Sequence, residues 1–277
     1  MRAALIQFTG SDDPRHNLHS VAALFGRAVA MGAGFVLTPE VSNCISTDRA
    51  RQRAVLVPEG EDPMLAALRA HAAEAGVWCL IGSLALVTED PAGRFANRSF
   101  LIAPDGRIAA RYDKIHMFDV AVSATETYRE SDGYRPGDRA VVAPTPFGAI
   151  GLSICYDLRF AALYRQLAQA GATILTVPSA FSPVTGAAHW EVLLRARAIE
   201  TGSYVLAPAQ TGRHRASAGR ARQTHGHSLA VSPWGEVLAD AGTEEGVICV
   251  DLDPEAVKEA RRRIPSLRLE SQIDDPK

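Results

Sequence analysis

Along most of the chain, short apolar runs alternate with segments whose apolar residues recur every turn of a helix. Residues 3–8 read as a buried strand, and residues 17–31 carry the helical spacing until Gly32 and Gly34 stop it. Residues 35–37 predict a second strand, residues 63–75 a helix closed by Gly76, and residues 77–81 a third strand. Residues 98–103 and 108–112 predict a hairpin across Pro104-Asp105-Gly106. The alternation resumes with strand 149–154, helix 161–170, strand 174–177, helix 188–200 and strand 204–207. Strands near 227–231, 236–238 and 247–251 follow, then a helix from Pro254. Strand and helix in alternation, with a hairpin mixed in, imply a layered α/β fold. Nothing in the middle reads as a linker, so residues 1–277 are expected to form one domain.

Composition excludes more than it identifies. With 47% hydrophobic residues, 22% charged residues and a formal net charge of -2, the chain has the balance of an ordinary globular protein. Its basic clusters, residues 213–222 and Arg261-Arg262-Arg263, lack interleaved aromatics and read as a solvated loop and a helix face, so no nucleic-acid partner is expected. The 4 cysteines, Cys44, Cys79, Cys155 and Cys249, have no CxxC spacing, which points away from a disulfide framework or a zinc site and toward a reducing compartment. No apolar stretch approaches the ~20 residues of a membrane span. The chain enters a strand directly after Met1, so a cytoplasmic location without membrane association is expected.

Three residues carry candidate chemistry. Cys155 ends the run Gly151-Leu-Ser-Ile-Cys155, where a buried strand delivers a side chain into a cleft. Glu40 closes Phe35-Val-Leu-Thr-Pro-Glu40, and Lys114 lies in Arg111-Tyr-Asp-Lys-Ile-His116. Each has an ordinary structural reading: a small buried hydrophobe, a helix-start acid, a solvated surface charge. Together they supply a thiol, a base and a cation, the parts of acyl transfer through a thioester. A thiol beside a cation is expected to ionise readily.

Four blocks give these residues a context: Leu37-Thr-Pro-Glu40, Tyr112-Asp-Lys-Ile-His116, Cys155-Tyr-Asp-Leu-Arg-Phe160, and residues 178–213. Over nearly its whole length the chain resembles the carbon-nitrogen hydrolases of the nitrilase superfamily, with their Glu-Lys-Cys triad. The block from Ser179 to Thr201 looks most like the deaminated glutathione amidases, with the omega-amidases as a sister branch. The resemblance implies a four-layer α-β-β-α sandwich and a homodimer. It implies Cys155 as nucleophile, Glu40 as base and acid, and Lys114 with the backbone N–H of Tyr156 as oxyanion donors. It places Glu130 near the lysine and puts Phe181 and Thr185 on the substrate pocket. His189 and Trp190 are expected to support the pocket loop.

Arg159, four residues after the nucleophile, offers a planar fork suited to a substrate carboxylate, against the plainer reading of an ion pair with Asp157. The expected reaction releases ammonia from a small carboxylate-bearing amide, deaminated glutathione or alpha-ketoglutaramate, with no cofactor. His225 and His227 suggest a metal pair only weakly, so no metal is expected. Alternatives are another activity of the superfamily, such as a carbamoyl-amine hydrolase, an aliphatic amidase or a nitrilase, or a catalytically idle ligand-binding member. Ala161-Ala162 stand where many relatives carry Pro-Glu, and residues 213–224 form a basic, glycine-containing segment read either as a mobile lid or as a plain surface loop.

Overall fold

The computed structural model describes residues 1–123 and 126–269. Its first half contains β1 (Arg2–Gln7), α1 (Pro14–Ala30), β2 (Phe35–Leu37), α2 (Arg49–Val55) and α3 (Pro63–Ala75). β3 (Trp78–Leu86), β4 (Ala96–Ile102), β5 (Ile108–Asp113), β6 (Asp119–Ser123) and β7 (Glu126–Arg129) follow. The second half runs through β8 (Val141–Ala143), β9 (Ile150–Leu152), α4 (Ala161–Gln169), β10 (Ile174–Thr176), α5 (Pro183–Thr201) and β11 (Tyr204–Ala207). It closes with β12 (Thr211–Arg213), β13 (Gln223–His225), β14 (Leu229–Val231), β15 (Val237–Asp240), β16 (Gly246–Asp251) and α6 (Pro254–Arg263).

Two six-stranded sheets face each other, one ordered β16-β1-β2-β3-β4-β5 and the other β15-β14-β11-β10-β9-β8. The centre of each is parallel, β1-β2-β3 and β9-β10-β11, and antiparallel strands flank it. The alternation of side chains along a strand explains the layering. Ala3 and Leu5 of β1, Phe35 and Leu37 of β2, and Leu80 of β3 point into the core shared with the second sheet. Ala4, Ile6, Val36, Cys79 and Ile81 point the other way, against Val21, Phe25 and Leu68 of α1 and α3. Leu163, Leu167, Trp190 and Leu194 of α4 and α5 cover the outer face of the second sheet. The fold is the expected four-layer α-β-β-α sandwich. Strands buried on both faces must be apolar at successive positions, which is why they read as continuous runs.

Some boundaries differ from the sequence reading. α5 begins at Pro183, five residues before the expected 188, because Ser182 caps it and Pro183 fits the first helical position. That Ser-Pro pair was in the sequence, but the first turn is not apolar at helical spacing. α1 likewise starts at Pro14 behind the Asp13 cap. The strand expected near 227–231 begins at Leu229, since Gly226 and His227 both have positive φ and form a turn. The short pairs β6-β7 and β12-β13 escaped notice, as three to five residues carry little periodicity. Among the described residues, no helix is long and apolar enough to cross a membrane.

Candidate active site

The parallel strands of both sheets end on the same side, and the segments leaving their carboxyl ends wall a cavity of about 710 Å³. Glu40 follows β2, Lys114 follows β5, Cys155 follows β9, and residues 180–185 follow β10. Glu40, Lys114 and Cys155 are all buried and all line this cavity.

The turn after β2 is held by close backbone contact. A Cβ at Gly82 would collide with the carbonyl oxygens of Thr38 and Pro39, so only glycine lets the strands approach this closely. Ser83 Oγ receives the N–H of Val41 at 2.8 Å, and Gln210 Nε2 donates to the Glu40 carbonyl at 3.0 Å. These bonds hold Val41 at φ 47°, an unfavourable value for a β-branched residue. Cys155 sits at φ 50°, with its N–H on the Pro178 carbonyl at 3.0 Å, and opens a short 3₁₀ helix, Cys155–Arg159. Both positive-φ residues flank the place where the Glu40 carboxylate and the Cys155 sulfur meet.

Lys114 Nζ lies 3.0 Å from Glu40 Oε1 and 2.9 Å from both oxygens of Glu130. Glu130 Oε2 also accepts the Phe118 N–H at 2.6 Å. Asn97 Nδ2 donates to the same Glu40 oxygen, Oε1, at 2.9 Å, and the Asn97 carbonyl receives the Lys114 N–H at 3.0 Å. The Cys155 thiol lies within hydrogen-bonding reach of the same carboxylate. Burial pushes the Glu40 carboxyl up, but the charges of Lys114 and Arg222 outweigh it and hold the group below its ordinary range. Lys114, between two carboxylates, is held well above its ordinary value despite burial.

The Cys155 thiol behaves differently from the expectation that a nearby cation would ionise it. Burial and the adjacent Glu40 charge push it far above its ordinary value, and Lys114 offsets only part of this. The resting sulfur therefore carries its proton. Tyr156 lines the cavity at the first turn of this 3₁₀ helix, and among the described residues no hydrogen bond from its backbone N–H is formed to another backbone group outside the helix.

The remaining expected residues divide. Phe181 and Thr185 line the cavity, and Phe181 packs on Trp190 with ring centroids 4.8 Å apart. Trp190 also donates to the His227 carbonyl at 2.7 Å, the supporting role anticipated for it. Arg159 is not among the lining side chains. Its Cζ lies 5.8 Å from the Tyr156 ring centre and 5.6 Å from that of Phe181, and its Nη1 is 3.3 Å from His189 Nδ1. The ion pair with Asp157 is not formed either. Asp157 is fully buried and accepts from Tyr112 Oη at 2.6 Å, the Ile154 N–H at 2.9 Å and the His116 N–H at 3.0 Å, with His116 Nδ1 at 2.7 Å. His225 and His227 stack on each other, and His227 Nδ1 lies 3.1 Å from Asp240, a carboxylate partner not evident from the sequence.

Residues 214–222 connect β12 and β13 and are hydrogen-bonded to distant parts of the chain. His214 Nδ1 is 2.8 Å from the Gly10 carbonyl and its Nε2 2.8 Å from Thr224 Oγ1. Ser217 donates twice to Asp12 Oδ2, at 2.7 and 2.6 Å, and Thr47 Oγ1 donates to the Arg220 carbonyl at 3.0 Å. Sequence reasoning missed Asn97, whose only sign is a polar residue inside an otherwise buried strand, and it missed Arg49; Arg220 and Arg222 it had offered only as part of a lid over an anionic substrate, and all three arginines line the cavity.

Fold and cluster together define a class: a four-layer α-β-β-α protein with a carboxylate, an ammonium and a thiol buried at the carboxyl ends of its parallel strands. The chain belongs to the carbon-nitrogen hydrolase family, which its residues 2–262 match. It is 38% identical over 266 residues to the deaminated glutathione amidase of Yersinia enterocolitica, covering 96% of this chain and 91% of that one. It is also 38% identical over 268 residues to omega-amidase NIT2-B of Xenopus laevis, covering 96% of this chain and 94% of that one. Its fold is similar to that of the NitFhit protein of C. elegans, with a TM-score of 0.86 and 33% identity. That likeness covers 95% of this chain, which spans 63% of the longer NitFhit chain.

Proposed function

We propose that the protein is an amidohydrolase that opens the carbon–nitrogen bond of a small carboxylate-bearing amide through a thioester on Cys155. The observation that carries this reading is the convergence of Glu40, Lys114 and Cys155 on one buried point of the cavity. Because the resting thiol is protonated, its proton passes to Glu40 as sulfur bonds to the amide carbon. Lys114 Nζ and the Tyr156 N–H hold the negative oxygen that develops. Glu40 returns the proton to the leaving nitrogen, which departs as ammonia or an amine and leaves the acyl group on sulfur. Water, surrendering a proton to Glu40, attacks the thioester. The carbon–sulfur bond breaks, the acid leaves, and sulfur regains its proton. Glu130 and Asn97 position the lysine and the carboxylate.

For the acyl portion, Phe181 supplies an apolar wall and Thr185 a hydroxyl. Arg159 takes the substrate carboxylate by turning away from His189, a move that breaks one long hydrogen bond. The names of the relatives point to deaminated glutathione or alpha-ketoglutaramate as substrate. A cytoplasmic homodimer is the setting this reading expects.

A release assay over deaminated glutathione, alpha-ketoglutaramate, N-carbamoyl-beta-alanine, glutamine and a simple nitrile tests the reading, with Cys155→Ala as control. One of the two keto-acid amides should lead, and Cys155→Ala should be inactive. Turnover by Cys155→Ala, or activity confined to the nitrile or the carbamoyl compound, would reject it. Arg159→Ala should raise KM for the keto-acid amides, and an unchanged KM would remove Arg159 from the pocket.

A further inference from the structure

The cavity holds more positive charge than the reaction centre uses. Its lining acids, Glu40 and Glu130, are both engaged by Lys114. Arg49, Arg213, Arg220 and Arg222 line it as well, and among the described residues none of the four forms an ion pair with a carboxylate. Arg49 and Arg222 are half-buried, while Arg213 and Arg220 stand exposed at the rim. Arg49 Nη1 binds only an uncharged group, Gln52 Oε1 at 2.7 Å, and its Cζ lies over the Tyr134 ring. Arg222 Nη2 donates to the Ala180 carbonyl at 2.6 Å. Partly desolvated guanidiniums without a carboxylate partner carry a cost that a bound anion offsets.

Their position fixes which part of a substrate they meet. The leaving nitrogen must face Glu40 to receive its proton. Arg222 is close enough to Glu40 for its charge to act on that carboxylate, and Arg49 lies on the segment that continues from the Glu40 turn. A group attached to the leaving nitrogen and held in the cavity therefore meets a wall to which Arg222, Arg49 and Arg220 contribute. The fastening of residues 214–222 to Asp12, Gly10 and Thr47 sets these arginines in place before any ligand arrives, which lowers the cost of binding.

We propose that Arg49, Arg220 and Arg222 form a second anion subsite, which holds a carboxylate on the departing amine. The substrate class is then an N-substituted amide with an anionic, peptide-like leaving group rather than a primary amide. This rests on the amidase reading above. Deaminated glutathione, whose leaving amine is a dipeptide ending in a carboxylate, is of this class, and alpha-ketoglutaramate, which loses only ammonia, is not.

The test compares deaminated glutathione with its analogue bearing a terminal carboxamide, in wild type and in Arg49→Gln, Arg220→Ala and Arg222→Gln. Wild-type kcat/KM should favour the carboxylate form, and the preference should fall about 10- to 100-fold in Arg222→Gln, the worth of a hydrogen bond to a charged group. Arg220→Ala, an exposed change that leaves packing intact, should reduce the preference by a smaller factor. In Cys155→Ala protein, direct calorimetric binding should show the same preference and the same loss on adding Arg222→Gln. Equal kcat/KM and equal binding for the two forms, or a preference that no arginine substitution moves, overturns the subsite. Absent turnover of every amide by wild type defeats the amidase reading instead, and the binding comparison still decides the subsite.

Discussion

At the scale of single residues, the proposed reaction divides labour between the two oxygens of Glu40. Oε1 is occupied by Asn97 and Lys114, and in the reaction proposed above this leaves the other oxygen to exchange a proton with Cys155. Replacing Asn97 by Ala removes one hydrogen bond to a charged group and lets the carboxylate rotate. We expect kcat to fall about 10- to 100-fold, in line with ~1.5–3 kcal/mol for such a bond, with the thermal melt little changed. Glu130→Gln keeps the shape but removes one of the two negative charges that hold Lys114. Its kcat should fall while KM moves less, since the lysine acts on charge that develops during reaction, and a wild-type rate would reduce Glu130 to a loop carboxylate. Cys155 and Glu40 were legible because they close apolar runs, and Lys114 because its block completes a thiol, a base and a cation as a set. Asn97 was not, because nothing in a strand's own sequence says that its side chain faces a cavity.

At the scale of elements, the β12-β13 connection depends on one buried histidine. Burial pushes His214 down to about 4 from the ordinary value of 6.5, so the folded chain keeps the ring neutral where the unfolded chain protonates it. Above pH 6.5 the ring is neutral in both states and contributes no pH dependence. As pH falls below 6.5 the unfolded state binds the proton and the folded state does not, so stability drops until pH passes about 4. At pH 5 the loss is about 2 kcal/mol, from ~1.4 kcal/mol per unit of pKa difference. Thermal melts between pH 7 and 5 should show it, and His214→Gln should flatten the slope over that interval. A slope unchanged by the substitution would mean that His214 is not the group titrating. In sequence this segment read equally as a lid or as a bare loop. The partners that fasten it, Asp12, Gly10 and Thr47, lie more than 150 positions away, as in the bond between Thr47 and Arg220 with a separation of 173.

Across the whole molecule, Asp157 ties the two sheets together beside the cavity. Tyr112 and His116 flank Lys114 at the end of β5 in the first sheet, whereas Asp157 follows β9 in the second, and the carboxylate accepts from both sides. Asp157→Ala leaves these buried donors without an acceptor and should destabilise the protein by about 3–5 kcal/mol. Activity should fall even at temperatures where the variant stays folded, because Lys114 and Cys155 lose their common anchor. Full activity in a folded Asp157→Ala protein would show that the sheets hold their register without it.

Sequence periodicity determined a layered α/β fold, resemblance to the family supplied the four layers, and the two together singled out three groups that the structure brings to one cavity. Strands buried on both faces must be apolar throughout, and a polar residue closing such a run has few places to go but the cleft at its end. Only the tertiary structure decided which guanidiniums line the cavity. Arg159 is near the nucleophile in sequence yet rests against the rings of Tyr156 and Phe181 without lining the cavity, while Arg49 and Arg222, distant in the chain, line it. The state of the thiol was decided there as well, since ionisation depends on the balance of burial and neighbouring charge, which exists only once the chain has folded around the sulfur.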